Sequence, residues 1–156
     1  MTYQKATFGM GCFWGAEEAF RGVKGVVSTT VGWMGGRKEN PTYKEVITGM
    51  TGHAEVVHLE YDPSEISYDE LLKIFWENID PTTLNRQGPD EGTEYRTVIF
   101  YHSEEQGELA RRSKEDLERS GRYNKPIVTE IIQATAFWRA EEYHQHYFEK
   151  HGGSCH

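Results

Sequence analysis

The chain is poor in cysteine, has five prolines, and contains no long apolar run in its 156 residues. The two cysteines, Cys12 and Cys155, sit near opposite ends and do not make a disulfide scaffold in a domain of this size. In a reducing compartment they are either inert thiols or chemistry. No stretch approaches the roughly 20 apolar residues that span a bilayer, so no transmembrane helix is expected. The first residues lack the apolar core of a signal peptide, which points to a soluble, cytoplasmic protein. Basic side chains are outnumbered 25 to 17, the net charge is −8, and no Lys/Arg run offers a local exception. Phosphate backbones and anionic lipid surfaces are repelled, so neither nucleic acid nor membrane is an expected partner. Repeats and low-complexity tracts are also missing. Aromatic residues, by contrast, reach 13%, enough to build both a core and a pocket from few side chains.

Patterning suggests one domain. Residues 5–10 read as a strand leading into Gly11-Cys12. Phe13, Ala16, Phe20 and Val23 recur at helical spacing, and Gly22 and Gly25 end that helix. Residues 26–32 read as a strand, and 33–52 as a loop punctuated by Gly35-Gly36 and Asn40-Pro41. Residues 53–61 alternate, with His53, Glu55, Val57, Leu59 and Tyr61 on one face. Ser67-x-x-Glu70 is a capping box, with Ile66 and Leu71 as its hydrophobic staple. Residues 80–95 read as a second polar loop, 96–102 as a strand, and Ser103-x-x-Gln106 as the cap of a helix reaching about Gly121. A strand at 127–134, a helix at 140–150 and a glycine-containing tail complete the chain. The implied fold class is α+β: a plait with a mixed, mostly antiparallel sheet and packed helices.

Cys12 is placed at a helix N-terminus, where the macrodipole and free N–H groups favour the reactive thiolate. Glu17 and Glu18 work partly against this. The bland alternative is a small buried hydrophobe. Phe13-Trp14 beside the thiol offers an apolar wall suited to a methyl or thioether group. Gly9-x-Gly11-x-x-x-Gly15 misses the dinucleotide fingerprint and lacks the Lys-Ser/Thr of a phosphate loop, so neither is adopted. Glu55 shares a face with Val57 and Leu59. Desolvation there would raise its pKa and make it a general acid, although the pattern alone favours a strand-end carboxylate leaning into solvent. Tyr43, Asp90 and Tyr95 lie in the two long loops, where site residues gather. His144, His146 and His151, with Cys155 and His156, resemble a metal cluster only in composition. His144 and His146 at i, i+2 point apart on a helix, so these are read as surface histidines and no metal site is assigned.

Together these stretches resemble the A-type peptide methionine sulfoxide reductases. The resemblance rests on Gly11-Cys12-Phe13-Trp14-Gly15, Gly35-Gly36 with Asn40-Pro41-Thr42-Tyr43, and Thr51-Gly52-His53-Ala54-Glu55. It continues through Phe75-Trp76-Glu77-Asn78 with Asp80-Pro81, Gln87-Gly88-Pro89-Asp90 with Gly92-Thr93-Glu94-Tyr95-Arg96, and Ala140-Glu141-Glu142-Tyr143-His144-Gln145. It implies that Cys12 attacks the sulfoxide sulfur of methionine S-sulfoxide and that Glu55 protonates the oxygen. Tyr43 and Tyr95 would hydrogen-bond that oxygen, Phe13 and Trp14 would hold the methyl group, and Asp90 would help position the substrate. The Cys12 sulfenic acid would then be resolved by Cys155 and reduced by a thioredoxin-like dithiol. On this reading residues 1–150 are the catalytic domain and 151–156 a flexible tail with the resolving cysteine. The enzyme is expected to act as a monomer without a cofactor. Many members carry two recycling cysteines; here there is a single candidate.

Two other classes fit parts of the pattern. In a Cys-His hydrolase His53 would activate Cys12 and Glu55 would orient it. A binding module would recognise methionine or its oxide without turnover.

Overall fold

Local propensities set the elements, and one buried strand organises them. The computed structural model describes residues 2–151. In chain order the strands and helices are β1 (Gln4–Met10), α1 (Phe13–Phe20), β2 (Val26–Met34), α2 (Tyr43–Val46), β3 (Ala54–Tyr61) and α3 (Tyr68–Glu77). They continue with β4 (Arg86–Gln87), β5 (Asp90–Glu91), β6 (Thr97–Tyr101), α4 (Glu104–Arg119), β7 (Glu130–Gln133), β8 (Trp138–Arg139) and α5 (Tyr147–His151). Two 3-10 turns, Thr93–Tyr95 and Glu142–His144, precede β6 and α5.

Six strands form one sheet in the order β7-β6-β1-β3-β2-β8. Every pairing is antiparallel except β6 with β7. The α+β class and the mixed, mostly antiparallel sheet expected from the pattern are therefore found. Alternation sorts the side chains into two layers. Phe8, Val57, Leu59 and Ile99 pack with Phe20, Leu71, Phe75 and Ala110 on the helical side. Val56, Val98 and Phe100 pack on the other side under Ile132, Ala134 and Phe137. Each such fully buried aliphatic or aromatic side chain contributes about 1.5–3 kcal/mol.

Capping residues define the helix starts. Ser67 Oγ accepts the Glu70 N–H at 3.1 Å, and Glu70 Oε1 accepts the Ser67 N–H at 3.2 Å, completing the expected box. Ile66 and Leu71 are buried in the same cluster, as a staple requires. Ser103 caps α4 through the Gln106 N–H, but the Gln106 side chain turns elsewhere. It donates to Lys5 O at 2.8 Å and accepts from the His102 N–H at 2.8 Å, tying α4 to the sheet.

Four expectations are corrected. Residues 33–52 are not all loop, since β2 runs to Met34 and a Thr42/Glu45 capping box starts the single turn of α2. Residues 80–95 contain the β4–β5 hairpin and a 3-10 turn. The last strand is shorter than 127–134, and β8 was not anticipated, two residues being too few to show a period. Residues 140–150 are not one helix. Gln145 is extended and His146 has φ 53°, because Gln145 is pinned to the edge of β2. Of the expected 151–156 tail, His151 ends α5, and residues 152–156 with Cys155 lie outside the described residues.

Candidate active site

The thiol is presented by a tight strand-to-helix turn. Gly11 has φ 85°, and a Cβ there would come within 2.7 Å of Gln87 Cβ, so the turn needs glycine. Cys12 follows as the N-cap of α1, with its carbonyl accepting the Ala16 N–H at 3.1 Å. The expected placement at a helix N-terminus is found. Glu17 and Glu18 each have other partners. Glu17 is buried and accepts from Thr29 Oγ1 at 2.8 Å and from the His146 N–H at 2.6 Å. Glu18 is exposed and pairs with Arg21.

Glu55 stands opposite on β3, and it does not lean into solvent. It is 1% exposed, because the start of α1 and the Thr93–Tyr95 turn pack over this end of β3. Its Oε1 accepts the Phe13 N–H at 3.1 Å, so acid and thiol are joined through the first residue of α1. Its Oε2 is buried without a hydrogen-bond partner among the described residues. Burial pushes the carboxyl well above its ordinary range, and the negative charge of Cys12 pushes it further. The single Phe13 bond opposes this only in part. The net shift favours the protonated carboxyl, the form that can donate a proton.

Two phenols converge on the same place from different loops. Tyr43 opens α2, and burial followed by the charges of Glu55 and Cys12 raises its hydroxyl to about 12. Tyr95 closes the 3-10 turn before β6, and burial followed by Glu55 and Tyr43 raises it further. Both stay protonated and can donate. Asp90, half-buried at the start of β5, adds its charge to Glu55, Tyr43 and Tyr95. Arg96 holds these loops together: it donates to Gly52 O at 3.1 Å and Thr93 O at 2.8 Å, and pairs with Glu130 at 3.0 Å. Gln87 locks the residue 80–87 loop by exchanging hydrogen bonds with the Asp80 backbone.

Phe13 and Trp14 form an apolar wall beside the thiol. Phe13 is buried against Trp33 and Val46, while Trp14 is only partly covered. The i, i+1 offset leaves one ring in the core and one nearer the surface. Their centroids are 6.4 Å apart, and Tyr43 stacks on Phe13 at 6.4 Å.

The structure brings Cys12, Phe13, Trp14, Tyr43, Glu55, Asp90 and Tyr95 together; Cys155 lies outside the described residues. It does not bring in His53 as a base. His53 precedes β3, is 2% exposed, accepts the Gly36 N–H on Nδ1 at 3.0 Å and bonds Lys38 O through Nε2 at 2.7 Å. Both nitrogens serve the 36–38 loop, which removes the arrangement a hydrolase needs. His144 is not a surface residue: it is 0% exposed and accepts the Trp14 Nε1–H at 3.0 Å. Among the described residues no group of three or more His, Cys, Asp or Glu could hold a metal ion. Glu94 was missed as well. It is 4% exposed, with Oε1 buried and unpartnered among the described residues, and burial raises its pKa. No spacing signal marks it; only its adjacency to Tyr95 does.

The site thus joins a thiol at the N-cap position of α1, a buried carboxyl whose pKa is raised, two phenols and an aromatic wall. Comparison with known proteins agrees. The family model for peptide methionine sulfoxide reductase matches residues 4–156. The peptide methionine sulfoxide reductase MsrA of Geobacter sulfurreducens is 63% identical, covering 97% of this chain and 94% of its own. The reduced form of Mxr1 from Saccharomyces cerevisiae superposes with a TM-score of 0.86 at 40% identity, covering 95% of this chain and 85% of that one. Mxr1 in complex with Trx2 is also similar, with a TM-score of 0.64 at 30% identity over 93% of this chain and 84% of that one. The chain is a member of the peptide methionine sulfoxide reductase family, of the A type, and an enzyme of methionine sulfoxide reduction.

Proposed function

We propose that Cys12 is the nucleophile and Glu55 the proton donor in reduction of the S epimer of methionine sulfoxide, free or in peptides. The observation that carries this is the buried Glu55, its pKa raised, joined to the start of the Cys12 helix by the Phe13 bond. Sulfoxide oxygen leaves poorly unless protonated, so a neutral acid is as necessary as a thiolate. The Cys12 thiolate attacks the sulfoxide sulfur while Glu55 delivers a proton to the oxygen. Tyr43 and Tyr95 hydrogen-bond that oxygen, and Phe13 and Trp14 hold the methyl group. Asp90 orients the substrate and the phenols. The oxygen passes to sulfur as Cys12 sulfenic acid, releasing methionine.

Cys155 then condenses with the sulfenic acid, forming the disulfide and water. A thioredoxin-like dithiol restores both thiols by exchange; a relative seen with Trx2 supports this partner class. Residues 1–150 act as the catalytic domain and 151–156 as the tail that delivers Cys155. We place the enzyme in the cytoplasm as a monomer without nucleic-acid or membrane partners, consistent with its acidic charge. No helix among the described residues is long and apolar enough to cross a membrane.

The test is conversion of a peptide S-sulfoxide to the methionine form with dithiothreitol, followed by mass spectrometry. Wild type converts and Cys12→Ser does not. Cys155→Ser stops thioredoxin-driven turnover after one oxidation equivalent per enzyme. Near-normal conversion by Cys12→Ser would remove Cys12 from the mechanism, and continued thioredoxin-driven turnover by Cys155→Ser would remove Cys155.

A further inference from the structure

The strap of residues 140–146 grips three parts of the site at once. On β2, Val31 O accepts from the Ala140 N–H at 3.0 Å, and the Gln145 side chain bonds both the N–H and the carbonyl of Val31 at 2.9 Å. On α1, Glu17 accepts the His146 N–H. On α2, Glu141 Oε2 accepts the Tyr43 N–H at 3.2 Å. His144 lies at the centre, with its ring 5.1 Å from Phe13, 5.6 Å from Trp14 and 4.5 Å from Tyr43 between centroids.

The Trp14–His144 bond defines the state of the ring. An indole nitrogen only donates, so His144 Nδ1 accepts and the proton sits on Nε2. Burial lowers the pKa of His144 and keeps it neutral, against the opposing charge of Glu141. Tyr147 stacks on the indole at 3.9 Å, with the planes 9° apart. The Trp14 indole is therefore fixed edge-on by His144 and face-on by Tyr147. Half-exposed aromatic side chains without such anchors change rotamer readily.

We propose that His144 is a specificity-determining positioning residue: by fixing the edge of the Trp14 indole it sets the width of the slot for the S-alkyl group of the substrate. This rests on the reading that Phe13 and Trp14 hold the methyl group. A rigid apolar slot separates substrates differing by one methylene by about ten- to two-hundredfold. A slot whose wall can turn separates them less.

The experiment compares kcat/KM for the S epimers of methionine sulfoxide and ethionine sulfoxide, with dithiothreitol as reductant. It uses wild type, His144→Phe, His144→Asn and Trp14→Phe. Asn presents an acceptor where Nδ1 stood and keeps the indole bond. His144→Phe and Trp14→Phe should each lose about tenfold of the methyl-over-ethyl preference, whereas His144→Asn should keep it. Equal slowing on both substrates by His144→Phe would mean a ring that only fills space, and would overturn the assignment. So would an His144→Asn as permissive as His144→Phe. If His144→Phe fails to fold, Trp14→Phe/His144→Asn decides: its preference should match that of Trp14→Phe, and a further loss overturns the assignment. Full preference in Trp14→Phe would overturn the assignment together with the methyl-wall reading. Lost preference in Trp14→Phe beside intact preference in His144→Phe would overturn the assignment alone.

Discussion

Glu55 and His58 are three residues apart on β3, yet their surroundings treat buried polar atoms in opposite ways. His58 Nδ1 lies 2.7 Å from the fully buried Thr7 hydroxyl, which is also 2.8 Å from His102 Nε2. One hydroxyl with one proton donates to one ring and accepts from the other, so both contacts are made. Phe137 stacks on His58 at 4.7 Å and closes the cluster. Around Glu55, by contrast, Glu55 Oε2, Glu94 Oε1, Glu141 Oε1 and His144 Nε2 are all buried without a partner among the described residues. An unsatisfied buried polar atom costs about 1–3 kcal/mol, so folds normally avoid them. The paired cluster stabilises the sheet. The unpaired one favours the protonated form of Glu55, as the proposed proton donation requires, and local rules of this kind are most often broken at functional sites.

Glu55→Gln is the largest expected break in this contrast after loss of Cys12. An amide supplies no proton, so single-turnover reduction should slow by about 10²- to 10⁴-fold. An unchanged rate would take Glu55 out of the mechanism. The same variant should be more stable at neutral pH. The folded-state pKa of Glu55 is raised, so the unfolded chain ionises first. Stability is therefore lost as pH rises from the unfolded pKa of about 4.3 toward the folded value. Thermal melts at pH 7 should show a higher Tm for Glu55→Gln, and a lower Tm would mean that the carboxyl stabilises the fold. For wild type, the rate of the chemical step should fall as pH rises through the raised pKa.

Tyr43→Phe and Tyr95→Phe come next. On the proposed mechanism each removes one donor from the sulfoxide oxygen and should cost about tenfold in kcat/KM with the fold retained. If neither variant is slowed, the oxygen is held elsewhere. The smallest effect belongs to the paired side. Burial first, then the charges of His102 and Lys5, lower His58 to about 4. Its contribution is present above about 6.5, the unfolded value, and is lost as pH falls toward about 4. His58→Asn keeps an acceptor for Thr7 without titrating. Its stability should fall less steeply across that window in denaturant melts, with activity unaltered. Identical slopes would place the acid sensitivity in other groups.

Much of the site could be read before the fold. Cys12 followed Gly11 and preceded helical spacing, so its N-cap position was legible. Tyr43, Asp90 and Tyr95 were legible as residues of the two long loops, and the family resemblance supplied their roles. Glu55 was legible as a member of the apolar face but not as buried, because burial depends on α1 and the Thr93–Tyr95 turn packing over that face. His144 was misread for a related reason. The i, i+2 argument assumed a continuous helix, and the Gln145 bonds to Val31 break that helix.

What the sequence determined by itself is what depends on near neighbours: the alternating strands, the Ser67 and Ser103 caps, the glycine turn before the thiol, and a resemblance spread over the whole chain. Tertiary structure alone decided what depends on residues far apart. Phe13 and Glu55 are 42 positions apart, and Trp14 and His144 are 130 apart. The pKa of an acid and the position of an indole are set by whichever groups packing brings within a few ångströms, and local sequence does not specify those groups.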